Sequence, residues 1–232
     1  MTVPGKNPWH SIPRGVVVAP SLLACDFARA GEQINQVIAA GAQVLHVDIM
    51  DGHFVPNLSM GPGFVKSIRK FTSHPLDVHI MVSDPAYYIE RFAEAGADSI
   101  TFHVEATAEP AKLVDRLHEL GLGAGITLRP PTPASSLRDV IAKVDMVLVM
   151  TVEPGYGGQK FMEPMLDKIA EIRSQLGSHQ RLEVDGGINP QTAALCAARG
   201  ADTFVAGENI FGSGDIHAAV EALRRQANTA GR

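Results

Sequence analysis

The chain has 232 residues, 45% of them hydrophobic, enough for one large α/β domain with a sizeable core. A net charge of −5 leaves no footprint for nucleic acid or an acidic membrane surface, and no apolar run is long enough to span a bilayer. Two distant cysteines, Cys25 and Cys196, exclude a disulfide framework, and residues 1–13 lack the apolar core of a secretory signal, so a cytoplasmic protein is expected.

Residues 1–13 are rich in Pro, Gly, Asn and Ser and read as a flexible tail, pinned at Trp9, ahead of a single domain over 14–232. From residue 16 onward, short apolar runs alternate with amphipathic ones. Strands are expected at 16–19, 44–48, 76–80, 99–103, 124–128, 146–150, 181–184 and 203–206. Helical spacing follows each of them, at 27–40, 62–71, 85–95, 109–120, 134–141, 163–176, 190–199 and 215–226. Gly41 and Gly96 stand where the first and third helices should stop. No hairpin signal separates any two strands, so the strands should be parallel and covered by helices. Eight such units in this length point to an α/β fold of the (β/α)8 TIM-barrel class. A doubly wound open sheet is the competitor. It is weakened because the first strand is followed by Pro20-Ser21-Leu22-Leu23 and not by a glycine-rich dinucleotide turn.

Polar residues interrupt these strands at informative places. His46 and Asp48 are two apart on an otherwise apolar strand, so they share one face. Burying them together is costly unless a partner satisfies both, either a hydrogen-bonded core pair or a metal ion. In a barrel the C-terminal strand ends converge on the axis. Those ends carry Ser21, His46 and Asp48, His79, His103, Met150, Asp185 and Gly207 in turn. Two imidazoles and two carboxylates, His46, Asp48, His79 and Asp185, suit Zn²⁺, Mn²⁺, Fe²⁺ or Co²⁺, with His103 as a lesser alternative ligand.

Glycines gather after the last three strands: Gly155-Tyr156-Gly157-Gly158, then Gly186-Gly187, then Gly207. Glycine lets the backbone approach a ligand and present N–H groups, and barrel phosphate sites commonly use these loops. A phosphorylated substrate is therefore expected. Met50, Met81 and Met150 stand at strand ends, either as core filling or as an apolar collar that keeps a reacting centre dry.

Together these motifs resemble the ribulose-phosphate 3-epimerase family. The resemblance runs from residue 16 to the last helix. It is carried by Ala19-Pro20-Ser21-Leu22-Leu23, by the stretch from His46 to Asn57 and by Asp77-Val78-His79-Ile80-Met81-Val82. Thr101-Phe102-His103-Val104-Glu105, the run Met150 to Gln159, and Glu183-Val184-Asp185-Gly186-Gly187-Ile188 complete it.

The resemblance implies one divalent cation, Zn, Fe, Mn or Co, on His46, Asp48, His79 and Asp185. It implies Asp48 and Asp185 as the acid/base pair inverting C3 of D-ribulose 5-phosphate, and Ser21 and His79 as substrate contacts. Phosphate would lie against Gly155 to Gly158, Gly186-Gly187 and Gly207-Glu208. Glu208 departs from the family, which usually has Ser there; a carboxylate facing a phosphate would repel it, so Glu208 is expected to point outward. Arg129 stands where many relatives carry Asn, with no role assigned. The expected partner is a small sugar phosphate and the expected assembly a homo-oligomer, with neither nucleic acid nor membrane. Three rivals remain: epimerisation of a six-carbon ketose phosphate such as allulose 6-phosphate, a Schiff-base aldolase, and a non-catalytic sugar-phosphate binder. The aldolase needs a buried lysine at a strand end, which no expected strand interior supplies.

Overall fold

Each strand of this chain is buried on both faces, as a strand must be when helices cover one side and a packed barrel interior fills the other. The computed structural model describes residues 7–231. Its strands are β1 (Val17–Pro20), β2 (Leu45–Met50), β3 (Leu76–Met81), β4 (Ser99–His103), β5 (Gly123–Leu128), β6 (Met146–Met150), β7 (Arg181–Asp185) and β8 (Thr203–Ala206). All neighbours pair in parallel, in the order β1-β8-β7-β6-β5-β4-β3-β2. The remaining seam, between β1 and β2, has one parallel bridge, Ser21 to His46. Gln43 completes it. Its Oε1 accepts from Val18 N–H at 3.1 Å and its Nε2 donates to the Val16 carbonyl at 3.2 Å. The expected TIM barrel is thus present, with a side chain standing in for part of one ladder.

The covering helices are α1 (Ala30–Ala39), α2 (Pro62–Phe71), α3 (Pro85–Ala95), α4 (Pro110–Glu119), α5 (Met165–Arg173), α6 (Pro190–Ala197), α7 (Glu208–Phe211) and α8 (Ile216–Ala230). Proline at the first helical position opens α2, α3, α4 and α6, where its missing N–H costs nothing. Two expectations shift. The helix expected at 134–141 is a 3-10 turn, Ala134–Leu137, because the crossover spends Pro130, Pro131 and Pro133 on a turn and has too few residues left for an α-helix. The short α7 after β8 was not expected, since four residues carry no readable period.

The bottom of the barrel is closed by the N-terminal segment. Residues 1–6 of the expected tail lie outside the described residues. Residues 7–13 are packed, not loose. Trp9, only 2% exposed in a 3-10 turn (Pro8–His10), donates from Nε1 to Ser99 Oγ at 2.8 Å. Gly123 makes room for it, since a Cβ there would fall 2.7 Å from the indole. The buried Arg181 guanidinium ties the same segment down by donating to the carbonyls of Ile12, Pro13 and Gly15. Trp9→Ala should therefore cost about 3–5 kcal/mol, the usual range for emptying a buried aromatic position. A denaturant titration should show a lowered midpoint with an unchanged slope.

Candidate active site

The register of β2 against β3 builds the centre of the site. It sets Asp48 opposite His79 and His46 opposite Asp77. Alternation then turns all four inward, with Met50 and Met81 one step nearer the mouth. Asp185, the last residue of β7, arrives from the other side of the barrel. The ligand atoms of His46, Asp48, His79 and Asp185 all lie within 4.8 Å of one another. The four residues expected to converge from three strand ends thus lie together.

Asp48 is the hub. Its Oδ1 is 3.0 Å from His79 Nδ1 and 3.3 Å from His46 Nε2, while its Oδ2 accepts from Ser21 Oγ at 2.5 Å. Ser59 steadies the strand end beneath it, donating from Oγ to the Asp48 carbonyl and accepting from Met50 N–H. Burial works against a charge on Asp48, but His46 and then His79 outweigh it and hold the carboxyl far below its usual range. Asp185 has the opposite environment. Burial, and next the charge of Asp48, push it up to about 7. Two carboxyls driven apart in this way can act as base and acid on one substrate.

Each imidazole has a second buried group behind it. His46 Nδ1 is 2.9 Å from Asp77 Oδ2, and His79 Nε2 is 3.0 Å from His103 Nε2. Burial lowers His103 to about 4, so at neutral pH it is uncharged beside His79. His103 is not among the four residues whose ligand atoms cluster and stands behind His79. Glu183 lies behind as well, buried, with neither carboxylate oxygen hydrogen-bonded. Asp77 and Glu183 were missed as site residues, although the signal was present. Each precedes a site residue by two on the same strand, as His46 precedes Asp48.

A cavity of about 740 Å³ opens above this centre at the C-terminal strand ends. Its wall includes Ser21, Asp48 and Asp185, the three methionines Met50, Met81 and Met150, and the glycine loops 155–158, 186–187 and 207. His46 and His79 are fully buried beneath that wall. His79, expected also to touch substrate, is fully buried and forms no part of that wall. Glu208 is exposed at the mouth, its side chain running between Gly158 and Gly212.

Two loops meet over one side of the mouth. Asn57 Nδ2 donates to the Gly155 carbonyl at 2.7 Å, and the Tyr156 hydroxyl donates to the Pro56 carbonyl at 2.6 Å. Arg129 braces the first of these loops. It donates to the Phe54 carbonyl and lies 4.1 Å over the Phe54 ring, which packs in turn on His103.

The four-residue centre suits a divalent cation. Two imidazoles and two carboxylates are the usual mixed set for such an ion, and His46 Nε2 is buried with no hydrogen-bond partner. A cation there would satisfy it.

Comparison with known proteins follows the same line. The model of the ribulose-phosphate 3-epimerase family matches residues 17–211. A Bacillus subtilis protein named ribulose-phosphate 3-epimerase is 42% identical over 213 residues, covering 90% of this chain and 98% of its own. A Mycobacterium tuberculosis protein of that name is 44% identical over 219 residues, covering 93% and 95%. Among solved structures, 3-keto-L-gulonate-6-phosphate decarboxylase from Vibrio cholerae superimposes with a TM-score of 0.73 at 19% identity, covering 93% of this chain and 99% of that one. At that identity the likeness is one of fold.

Metal analysis of chelator-treated and reconstituted protein should find about one divalent ion per chain, as one four-ligand site requires. His46→Ala and His79→Ala should each weaken that binding. Full occupancy in either variant would remove that residue from the ligand set.

Proposed function

The chain belongs to the ribulose-phosphate 3-epimerase family, and we propose that it inverts C3 of D-ribulose 5-phosphate to give D-xylulose 5-phosphate at the centre formed by His46, Asp48, His79 and Asp185. The observation that carries this reading is the convergence of those four residues at the floor of a cavity rimmed by glycine loops. The C3 proton is weakly acidic even beside the C2 ketone. A divalent ion held by the four residues would supply positive charge to the enediolate oxygens as that proton leaves.

Inversion then needs one proton acceptor and one donor on opposite faces of a planar carbon. Asp48 comes from β2 and Asp185 from β7, with β1 and β8 between them. Asp48, held ionised by its imidazole neighbours, takes the proton in one direction. Asp185, pushed up by burial, delivers its own from the other face. The roles exchange in the reverse reaction. Ser21 orients the Asp48 carboxylate through Oδ2. Met50, Met81 and Met150 keep bulk water from the carbanionic carbon, which is the collar reading of these residues.

The phosphate is assigned to the loops at 155–158, 186–187 and 207–208. Gly157 and Gly158 have no close neighbour in the Cβ direction except the Glu208 side chain at 3.8 Å from Gly158, so their backbone is open to a ligand. Gly187 is different. A Cβ there would fall 2.6 Å from the Phe161 backbone nitrogen, so this glycine holds the two loops together. Gly157→Val should raise KM with the fold retained, whereas Gly158→Val and Gly187→Val, at φ +72° and +64°, should disturb the loops themselves. Equal use of the unphosphorylated sugar would remove this assignment.

Neither the six-carbon substrate nor a non-catalytic binder has an observation in its favour. A cytoplasmic location is in keeping with the Oryza sativa relative named as a cytoplasmic isoform, and no helix among the described residues is long and apolar enough to cross a membrane. Self-association would cover Phe27 and Phe71, which are about half exposed on adjoining elements.

The acid–base assignment is tested with Asp48→Asn and Asp185→Asn. Each should lose at least ~10²-fold in epimerisation, and the double variant should lose little more because the pair acts as a unit. Metal content must be measured in each variant first. In D₂O, a metal-replete single variant should wash deuterium into one substrate epimer, and its counterpart into the other. Near-normal turnover in either metal-replete variant would refute the two-face mechanism.

A further inference from the structure

His46 has two ring nitrogens in very different surroundings. Nε2 faces the four-residue centre, 3.3 Å from Asp48 Oδ1 and without a hydrogen-bond partner. Nδ1 faces away, 2.9 Å from Oδ2 of Asp77. Asp77 is itself wholly buried, lies directly opposite His46 in the β2–β3 register and does not line the cavity. It lies outside the four-residue centre, in a second close group with His46 and Glu183 on the Nδ1 side of the ring.

We propose that Asp77 is the positioning residue that presents His46 Nε2 to the cation, by accepting a hydrogen bond from Nδ1–H and so fixing both the tautomer and the tilt of the ring. The inference rests on the metal reading above. A carboxylate can only accept, so the nitrogen it faces carries the proton and the other is left with its lone pair free. Without that partner the ring could place its proton on Nε2 or rotate about its own axis, and either change would put the wrong group at the centre. Outer partners of this kind also raise the basicity of the ligand nitrogen.

Glu183 provides an internal control. It is a second buried carboxyl group behind the same ring, but its Oε1 is 3.9 Å from His46 Nδ1, beyond hydrogen-bonding distance. If Asp77 acted only as a buried carboxyl group filling the space behind the ring, Glu183 would do the same. If it acts through its hydrogen bond, Glu183 should matter little.

The test compares Asp77→Asn with Glu183→Gln in the full chain, both of which keep shape and remove one carboxyl group. Co²⁺ affinity is read by competition with a chelator, with folding checked by circular dichroism. An amide can turn either its oxygen or its NH₂ toward Nδ1, so Asn no longer dictates the tautomer. Asp77→Asn should lower Co²⁺ affinity about 10–100-fold, and Glu183→Gln should leave it within about threefold. Wild-type affinity in Asp77→Asn, or an equal loss in Glu183→Gln, would overturn the proposal. Should Asp77→Asn fail to fold, long-range ¹H–¹⁵N spectra of the Zn²⁺-loaded wild-type protein decide the matter. They should show His46 protonated on Nδ1 and metallated on Nε2; the reverse pattern overturns the proposal. A wild-type protein that binds neither Co²⁺ nor Zn²⁺ would instead overturn the metal reading itself, a distinguishable result.

Discussion

The register between β2 and β3 is the constraint on which the rest of the site depends. Six consecutive pairs, from Leu45 opposite Leu76 to Met50 opposite Met81, place two polar rungs in an otherwise apolar ladder. One rung is Asp48 with His79 and the other is His46 with Asp77. A slip of one residue would turn every one of these side chains to the helix-covered face. Four charged or polar groups would then be pressed against the apolar shell, a burial no helix face here could satisfy. The apolar residues between the rungs, Val47, Ile49, Val78 and Ile80, therefore protect the chemistry by insisting on their own side of the sheet.

A buried centre this polar destabilises a fold unless its groups satisfy one another. Most of them do. Asp48 takes bonds from Ser21 and His79, His46 has Asp77, and His79 has His103. Exceptions include His46 Nε2, Asp77 Oδ1, His103 Nδ1 and both oxygens of Glu183, whose carboxyl is kept well above the usual range by burial and then by Asp77. The first of these faces the place where a cation would complete the set. The lid side is organised more loosely. Arg129, Phe54, Asn57 and Tyr156 hold two crossover loops together through backbone carbonyls, contacts that depend little on the identity of the facing residues.

Much of this was legible in the sequence because period-2 alternation is a strong signal. His46 and Asp48 announce an inward polar face, and the same reading carries to His79 and Asp185. The barrel itself followed from eight repeats of strand and helix. What could not be read were features set by tertiary contact. Gln43 lies in a loop and gives no hint that it closes a seam. The 134–141 segment has helical apolar spacing, yet proline and shortage of chain reduce it to a 3-10 turn. Arg129 looks like an unexplained substitution until Phe54 arrives beneath its guanidinium from a segment far away in sequence. Strand position fixes a side chain's direction but not what covers it: His79 points inward yet is fully buried.

The seam at β1 also has a bearing on how the protein comes to exist in a cell. The only full ladder β1 makes is with β8, the last strand of the sheet. During synthesis β1 emerges first and must wait, roughly ten to forty seconds at ordinary elongation rates, for its neighbour to be made. Through that interval Val17, Val18 and Ala19 form an apolar strand with an open edge, the kind of segment that recruits other nascent chains. Pro20 blunts that edge at its end, because it has no N–H to offer an intruding strand. Gln43, emerging soon afterward, can bond the Val16 carbonyl and the Val18 N–H before any strand partner exists. A side chain that patches the finished barrel thus lies near enough in sequence to cover the same edge without waiting for β8.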